Sequence, residues 1–441
     1  MESGSKMRNA RTVIAGVLCA LMICCMLGNA YTVKGKEMLL APENKETKDQ
    51  NTENSKIEDN NTENEEELNK GAKKEDTSMQ IGAPSALLME ASTGTVLFEQ
   101  DADTKRPPAS VTKIMTMLLI FDAVESKKIS LEDKVPVSEF AASMGGSQVF
   151  LEIGEKQQVQ TLLKCVVISS ANDAVVALAE HVCGSEEAFV SRMNKKAREL
   201  GMKHTIFQNA CGLDAKGHVT SAYDIALMTR ELAQRYPEVF KYTKIWMDTI
   251  IHKTKKGEKE FGLSNTNKLI RHYNGCTGMK TGSTGKAGFC LSATATRNKI
   301  HMIAVVMGCE SSKARIKDAR TLLDYGFSNC QRIHSETTRK EIGRIPVQKG
   351  QRSEVSCQEK VTADLIDIKT QKGKIVKKIK IDSVKAPVKK GQKIGEIQYS
   401  KGNIMIHKEK ILAQETINKA DFLTQIKKIS TQFFLILSHF L

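Results

Sequence analysis

Between Ala86 and Gly308 the apolar residues change period twice, and that change narrows the fold more than any other feature of this 441-residue chain. Ala86–Met89 and Thr95–Glu99 read as two strands joined by a turn at Ser92-Thr93-Gly94. Pro107 and Pro108 stop that pattern. A helix is then expected to begin near Ser110 and to run through Ile114, Met117, Leu118, Phe121 and Val124, which keep the 3.6-residue period. More helical text follows in Val159–Val167, Asp173–His181, Glu186–Leu200 and Ser221–Tyr236. Period two returns in Phe289–Thr296 and Ile300–Gly308, and Arg315–Leu323 reads as a last helix. Strands at both ends with helices between imply an α+β domain over 81–335, its antiparallel sheet flanked by helices.

The text on either side is different. Lys6, Arg8 and Arg11 precede an apolar stretch from Thr12 to Leu27, and Gly28 and Ala30 follow at cleavage spacing. Residues 1–30 therefore read as a secretory signal peptide or, uncleaved, an N-terminal anchor. Residues 31–80 are rich in Glu, Asn, Lys and Thr and repeat Asp49–Asn54 as Asp59–Asn64. Such a segment buries too little apolar area to offset chain entropy, so a disordered linker is expected. From 337 to 415 short alternating runs appear, such as Lys374–Ile381, Lys393–Tyr399 and Asn403–His407, separated by Lys-Gly turns. They read as a small all-β domain, a sandwich. In 419–441, Phe422, Ile426, Ile429, Phe433 and Phe440 recur at helical spacing beside Lys427 and Lys428. The apolar run is too short to span a bilayer and fits a helix lying in a membrane interface, or else one packed on the β domain.

The formal net charge is +15, carried by 66 basic against 51 acidic residues. Nucleic acid is the first partner such a balance suggests. Export and an aromatic content of 5% argue against it, and anionic lipid or wall polymer explains the charge equally well. Three of the 11 cysteines lie in the signal segment; the other eight form no CxxC pair and several sit in apolar runs, so they read as buried small hydrophobes rather than disulfides or a zinc site.

Three short motifs carry chemistry. In Ser110-Val111-Thr112-Lys113 the serine and lysine share one face of a helix start, where the amine reaches the hydroxyl and free backbone N–H groups face an oxyanion. Alone the motif means little, since chance supplies others, Ser3 and Lys6 among them. In Ser170-Ala171-Asn172 the serine can relay a proton and the asparagine can hold a substrate amide; taken singly, these residues more often cap the following helix. In Lys280-Thr281-Gly282, on a strand, Lys280 and Gly282 point to one face. There the ammonium binds a carboxylate and disfavours protonation of Lys113, while Gly282 lets substrate backbone approach.

In this order the trio resembles the low-molecular-weight penicillin-binding proteins, the serine-type D-alanyl-D-alanine carboxypeptidases, from about 83 to 441. The resemblance implies that Ser110 attacks the carbonyl between two D-Ala residues and that Lys113 is its base. Ser170 would pass the proton to the leaving D-Ala, Asn172 would position the substrate, and Lys280 and Thr281 would bind the terminal carboxylate, with Arg315 aimed toward it. The oxyanion would sit on the N–H groups of Ser110 and Ser283. Many relatives carry His where Ser283 stands, but only its backbone is needed. The family likeness further implies a peptidoglycan stem peptide as substrate, acylation by β-lactams, a membrane-anchoring tail helix on the outer face, and no metal or other cofactor. A β-lactamase or transpeptidase shares the trio. A non-catalytic wall-binding scaffold is disfavoured by the intact Ser110, Lys113 and Lys280.

Overall fold

The computed structural model describes residues 37–39, 79–254, 257–334, 341–358, 364–369, 373–402 and 404–440. The expected signal segment lies outside them, as does all of the expected linker up to residue 78 except Glu37–Leu39. Those three residues form a short strand antiparallel to Ile375–Ile381, so this part of the segment is not without structure.

The catalytic half is built on a five-stranded antiparallel sheet in the order Thr95–Gln100, Ser85–Glu90, Ile300–Cys309, Gly288–Arg297, Cys276–Thr284. The strand Ser85–Glu90 thus pairs with Ile300–Cys309 from the far end of the domain, while Thr95–Gln100 forms the sheet edge. Ser85–Glu90 and Ile300–Cys309 are mostly apolar because both faces of the sheet are covered there. Ala86, Leu88, Met302, Ala304 and Val306 face one side with Ala319, Leu322 and Leu323 of the helix Ser312–Asn329. Leu87, Met89, Ile303, Val305 and Met307 face the other, where the helices Lys113–Glu125, Asn172–Cys183 and Ala222–Arg235 gather. Lys113–Glu125 is buried on every side from Lys113 to Ala123, as a helix apolar all round must be.

Two helical expectations are altered where function lies. The chain makes a 3₁₀ turn over Ala109–Thr112 before the α-helix begins at Lys113. The run Val159–Val167 is α-helical only to Lys164; a π-type turn, Cys165–Ser169, follows and delivers Ser170 at φ +60°. Two ladders escape the sequence reading: Lys134–Pro136 with Lys156–Gln158, and the hairpin Met247–Thr254 with Gly257–Ser264. Their strands are mostly exposed, so apolar alternation is nearly absent.

The C-terminal domain is β-rich. Six of its strands and Glu37–Leu39 make one hydrogen-bonded seven-stranded sheet, beside a two-stranded ladder. Val355, Cys357, Ile394, Ile397, Ile406 and Ile411 are among the residues of its core. The ladder joins Cys330–His334, at the end of the catalytic half, to Asp364–Ile368 of the second domain. Asp367 there accepts from Lys401 Nζ at 2.6 Å and Gln331 Nε2 at 3.0 Å. The last helix, Phe422–Phe440, starts where Asp421 Oδ1 accepts from Thr424 N, and it leaves Phe422, Leu423, Ile426 and Ile429 exposed. No helix among the described residues is long and apolar enough to cross a membrane. The eight cysteines from Cys165 to Cys357 form no disulfide among the described residues; six are buried, and Cys183 and Cys276 are half-buried.

Candidate active site

Ser110 is half-buried on the 3₁₀ turn, and the turn is locked by glycines on both sides. Ala109 takes φ +49°. Its carbonyl oxygen lies where a Cβ on Gly212 would stand, 1.9 Å away, so only glycine fits at 212, which itself has φ +87°. A Cβ on Gly282 would come within 2.8 Å of Ser110 N and 2.9 Å of Val111 N. Gly282 therefore admits the backbone of the nucleophile turn.

Lys113 is fully buried. Its Nζ donates to Ser110 Oγ at 2.9 Å, Asn172 Oδ1 at 2.7 Å and Cys211 O at 2.7 Å. Burial brings its pKa down to about 8, against the opposing pull of Cys211 and Asp173. An amine so placed gives up its proton far more readily than a surface lysine.

The Ser170-Ala171-Asn172 segment does not cap its helix by side chain; Ala171 stands at the N-cap and makes no such bond. Ser170 Oγ instead accepts from Lys280 Nζ at 3.0 Å. Asn172 spends both ends of its amide on protein: Oδ1 on Lys113, and Nδ2 donating to Gly145 O at 2.6 Å. Asp173 takes up the local amides, accepting from Val149 N and Leu151 N at 3.1 Å and from Ala174 N at 2.9 Å. These bonds tie the 145–151 loop against the site.

Lys280 is 1% exposed and donates to Thr281 O as well as to Ser170. Burial, then the neighbouring Lys113 and Arg315, push its pKa well below that of a free lysine. Thr281 Oγ1 lies 2.6 Å from Thr266 Oγ1. Ser283 is exposed at the end of the strand. Arg315 sits behind that strand, donating to Gly282 O at 3.1 Å, Cys290 O at 3.3 Å and Ser312 Oγ at 3.3 Å. Its bonds brace the strand rather than point at an open carboxylate site.

The motifs thus meet as expected, and the structure adds a fourth segment that the sequence reading missed. Asn209 Oδ1 gathers the amides of Cys211, Gly212 and Leu213. That loop presents Cys211 O to Lys113. The signal was an asparagine shortly before a glycine, the text of a side-chain-stabilised turn. Behind it His218 Nδ1 accepts from Gln208 N at 3.2 Å, so Nε2–H faces Thr112 Oγ1 at 3.0 Å. Burial lowers its pKa to about 4, and it stays neutral and structural.

The Gly282 contact yields a test. Gly282→Ala is expected to displace the strand from the nucleophile turn and to slow acylation of Ser110 by about 100-fold, the usual cost of a misplacement near 1 Å. Rapid-mixing with a fluorescent penicillin, alongside a thermal melt to confirm folding, measures it; unchanged acylation would contradict the contact.

Comparison with known proteins agrees with the geometry. The family model described as D-alanyl-D-alanine carboxypeptidase matches residues 69–311, and that of the penicillin-binding protein 5 C-terminal domain matches 337–419. The chain is 42% identical over 360 residues to D-alanyl-D-alanine carboxypeptidase DacF of Bacillus subtilis (strain 168), covering 80% of this chain and 91% of that one. It is 34% identical over 365 residues to DacC of Escherichia coli (strain K12), covering 78% and 87%. Penicillin-binding protein 5 from Haemophilus influenzae superposes with a TM-score of 0.64 at 30% identity, covering 77% of this chain and 98% of that structure. With the trio assembled on the fold these relatives share, the chain belongs to the D-alanyl-D-alanine carboxypeptidase family and is a serine-type enzyme of the penicillin-binding protein 5 group, which acts on peptidoglycan outside the cytoplasm.

Proposed function

We propose that the chain removes the terminal D-Ala from peptidoglycan stem peptides through an acyl-enzyme on Ser110. The observation that carries this reading is the 2.9 Å bond from the buried Lys113 amine to Ser110 Oγ. Ser110 Oγ attacks the carbonyl carbon between the two D-Ala residues and its proton goes to Lys113 Nζ. The oxygen of the tetrahedral intermediate sits on the N–H groups of Ser110 and Ser283. Collapse breaks the C–N bond; Ser170 passes a proton to the leaving amine, and free D-Ala departs. Water then attacks the ester, with Lys113 again taking the proton. Asn172 positions the substrate and, through its hold on Lys113, the base.

Lys280 and Thr281 receive the terminal carboxylate. An anion arriving beside Lys280 favours its protonated form, which pairs with it. Arg315 serves by holding the strand that carries both. In a β-lactam the leaving nitrogen stays tethered to the acyl group and keeps the path of water blocked, so the acyl-enzyme clears slowly.

The tail helix is proposed to lie in the outer face of the cytoplasmic membrane. Support comes from its exposed Phe422, Leu423, Ile426 and Ile429 beside Lys427 and Lys428.

Ser110→Ala is expected to abolish both the covalent band with fluorescent penicillin and D-Ala release from a pentapeptide, with folding intact. A band that clears within seconds in the wild type would move the reading to β-lactamase. The acylation rate should rise with pH through a midpoint near 8, because Lys113 must lose its proton and burial lowers its pKa to about 8. At pH 7 that leaves about 10% of the amine free, against less than about 0.1% for an ordinary lysine. A midpoint above 10 would refute the buried base. Deleting residues 421–441 should abolish sedimentation with vesicles containing anionic lipid while D-Ala release stays within about twofold; retained sedimentation would remove the helix from this role.

A further inference from the structure

Past Ser283 the strand Cys276–Thr284 runs out into a glycine-containing turn, and beside the turn lies a cleft of about 640 Å³. Arg106 forms one wall, Ser283 and Lys286 another, and Gly308 with Glu310 the third. Arg106 is pinned by its backbone, N to Thr220 O at 2.8 Å and O from Thr220 N at 2.9 Å. Its guanidinium has no ion pair among the described residues, and its buried Nε has no hydrogen-bond partner. Gly308, at φ +73°, lies beside it; a Cβ there would stand 3.5 Å from Nη1, in ordinary contact. Lys286 is exposed on the turn and has no ion pair among the described residues either. Glu310 is the one acid on these walls, exposed and paired with neither cation. The half-buried Arg106 therefore brings to the cleft a charge that no acid among the described residues neutralises, and an anion is the ligand such a wall favours.

The catalytic register says what reaches this cleft. With the terminal carboxylate at Lys280 and Thr281 and the scissile carbonyl at Ser283, the peptide runs antiparallel to the strand. An extended chain advances about 3.3 Å per residue. The residues before the scissile bond therefore pass over Gly285 and Lys286 toward Arg106. We propose that the cleft between Arg106 and Lys286 binds a carboxylate on the donor side of the scissile bond, one or two residues before the terminal pair, so that the enzyme reads stem peptides by charge at that place. This rests on the proposed acyl-enzyme reading and adds a substrate preference to it.

The test uses the full chain and two synthetic peptides ending in D-Ala-D-Ala. They differ only in a residue preceding that pair, which bears a carboxylate in one and a carboxamide in the other. The wild type is expected to show kcat/KM about tenfold higher for the carboxylate peptide, the scale of one charge-assisted contact open to solvent. Arg106→Gln and Lys286→Gln should each bring the ratio toward one, Arg106→Lys should keep part of it, and added salt should lower it. Lys286 is exposed on a turn, so its variant reports even if Arg106→Gln fails to fold. Equal kcat/KM for the two peptides, or an unaltered ratio in a folded variant, overturns the proposal. Wild type that turns over neither peptide overturns the acyl-enzyme reading and this proposal with it.

Discussion

Lys113 Nζ reaches Ser110 Oγ, Asn172 Oδ1 and Cys211 O from a position without solvent access. Each acceptor comes from a different segment, so three pieces of chain must be delivered to one point. Taking an ammonium group out of water costs several kcal/mol unless it is fully partnered or loses its proton. Both outcomes are present here: three acceptors, and a pKa drawn down to about 8. The helix Lys113–Glu125, buried from Lys113 to Ala123, supplies the apolar contacts that hold the lysine at its foot. A surface helix could neither exclude water from the amine nor resist its tendency to turn outward.

The second constraint is proximity of backbones. The nucleophile turn is pressed between the loop at Gly212 and the strand at Gly282, and both approaches are too close for a Cβ. This packing aims the Ser110 backbone, and the Lys113 amine then meets its hydroxyl. It also couples the serine to the sheet. Arg315 pulls on Gly282 O and Cys290 O, two neighbouring strands, and so fixes the strand on which Ser283 and Lys280 sit. A change in the helix Ser312–Asn329 would thus be felt at the nucleophile through a carbonyl rather than through a contact with substrate.

How much of this was readable from the text differs by kind of signal. The strands Ser85–Glu90 and Ile300–Cys309 were legible because both sheet faces are buried and the apolar runs are unbroken. The trio was legible because Ser110, Lys113, Ser170, Asn172 and Lys280 are chemically unusual where they stand. The hairpin Met247–Thr254 with Gly257–Ser264 was not, since its outward residues dominate and leave no period. The π-type turn before Ser170 was hidden as well: Cys165–Ile168 is as apolar as any helix, and only the tertiary pull of Lys280 on Ser170 reveals why the chain unwinds there. Asp173 serves the amides of a loop 22 to 24 positions earlier. Local text does not encode that partner.

Cations crowd this end of the molecule. Lys113, Lys280 and Arg315 are all buried near the serine, each with its pKa lowered first by burial, and Asp173, the acid that acts on Lys113, is itself held by backbone amides. Like charges in a poorly solvated site repel, so this arrangement costs stability. In the proposed reading a terminal carboxylate relieves that repulsion and a neutral group of the same shape does not, so the charge distribution that selects an anionic terminus is also the one that disfavours a proton on Lys113. Recognition and activation of the base are two consequences of one unbalanced charge distribution.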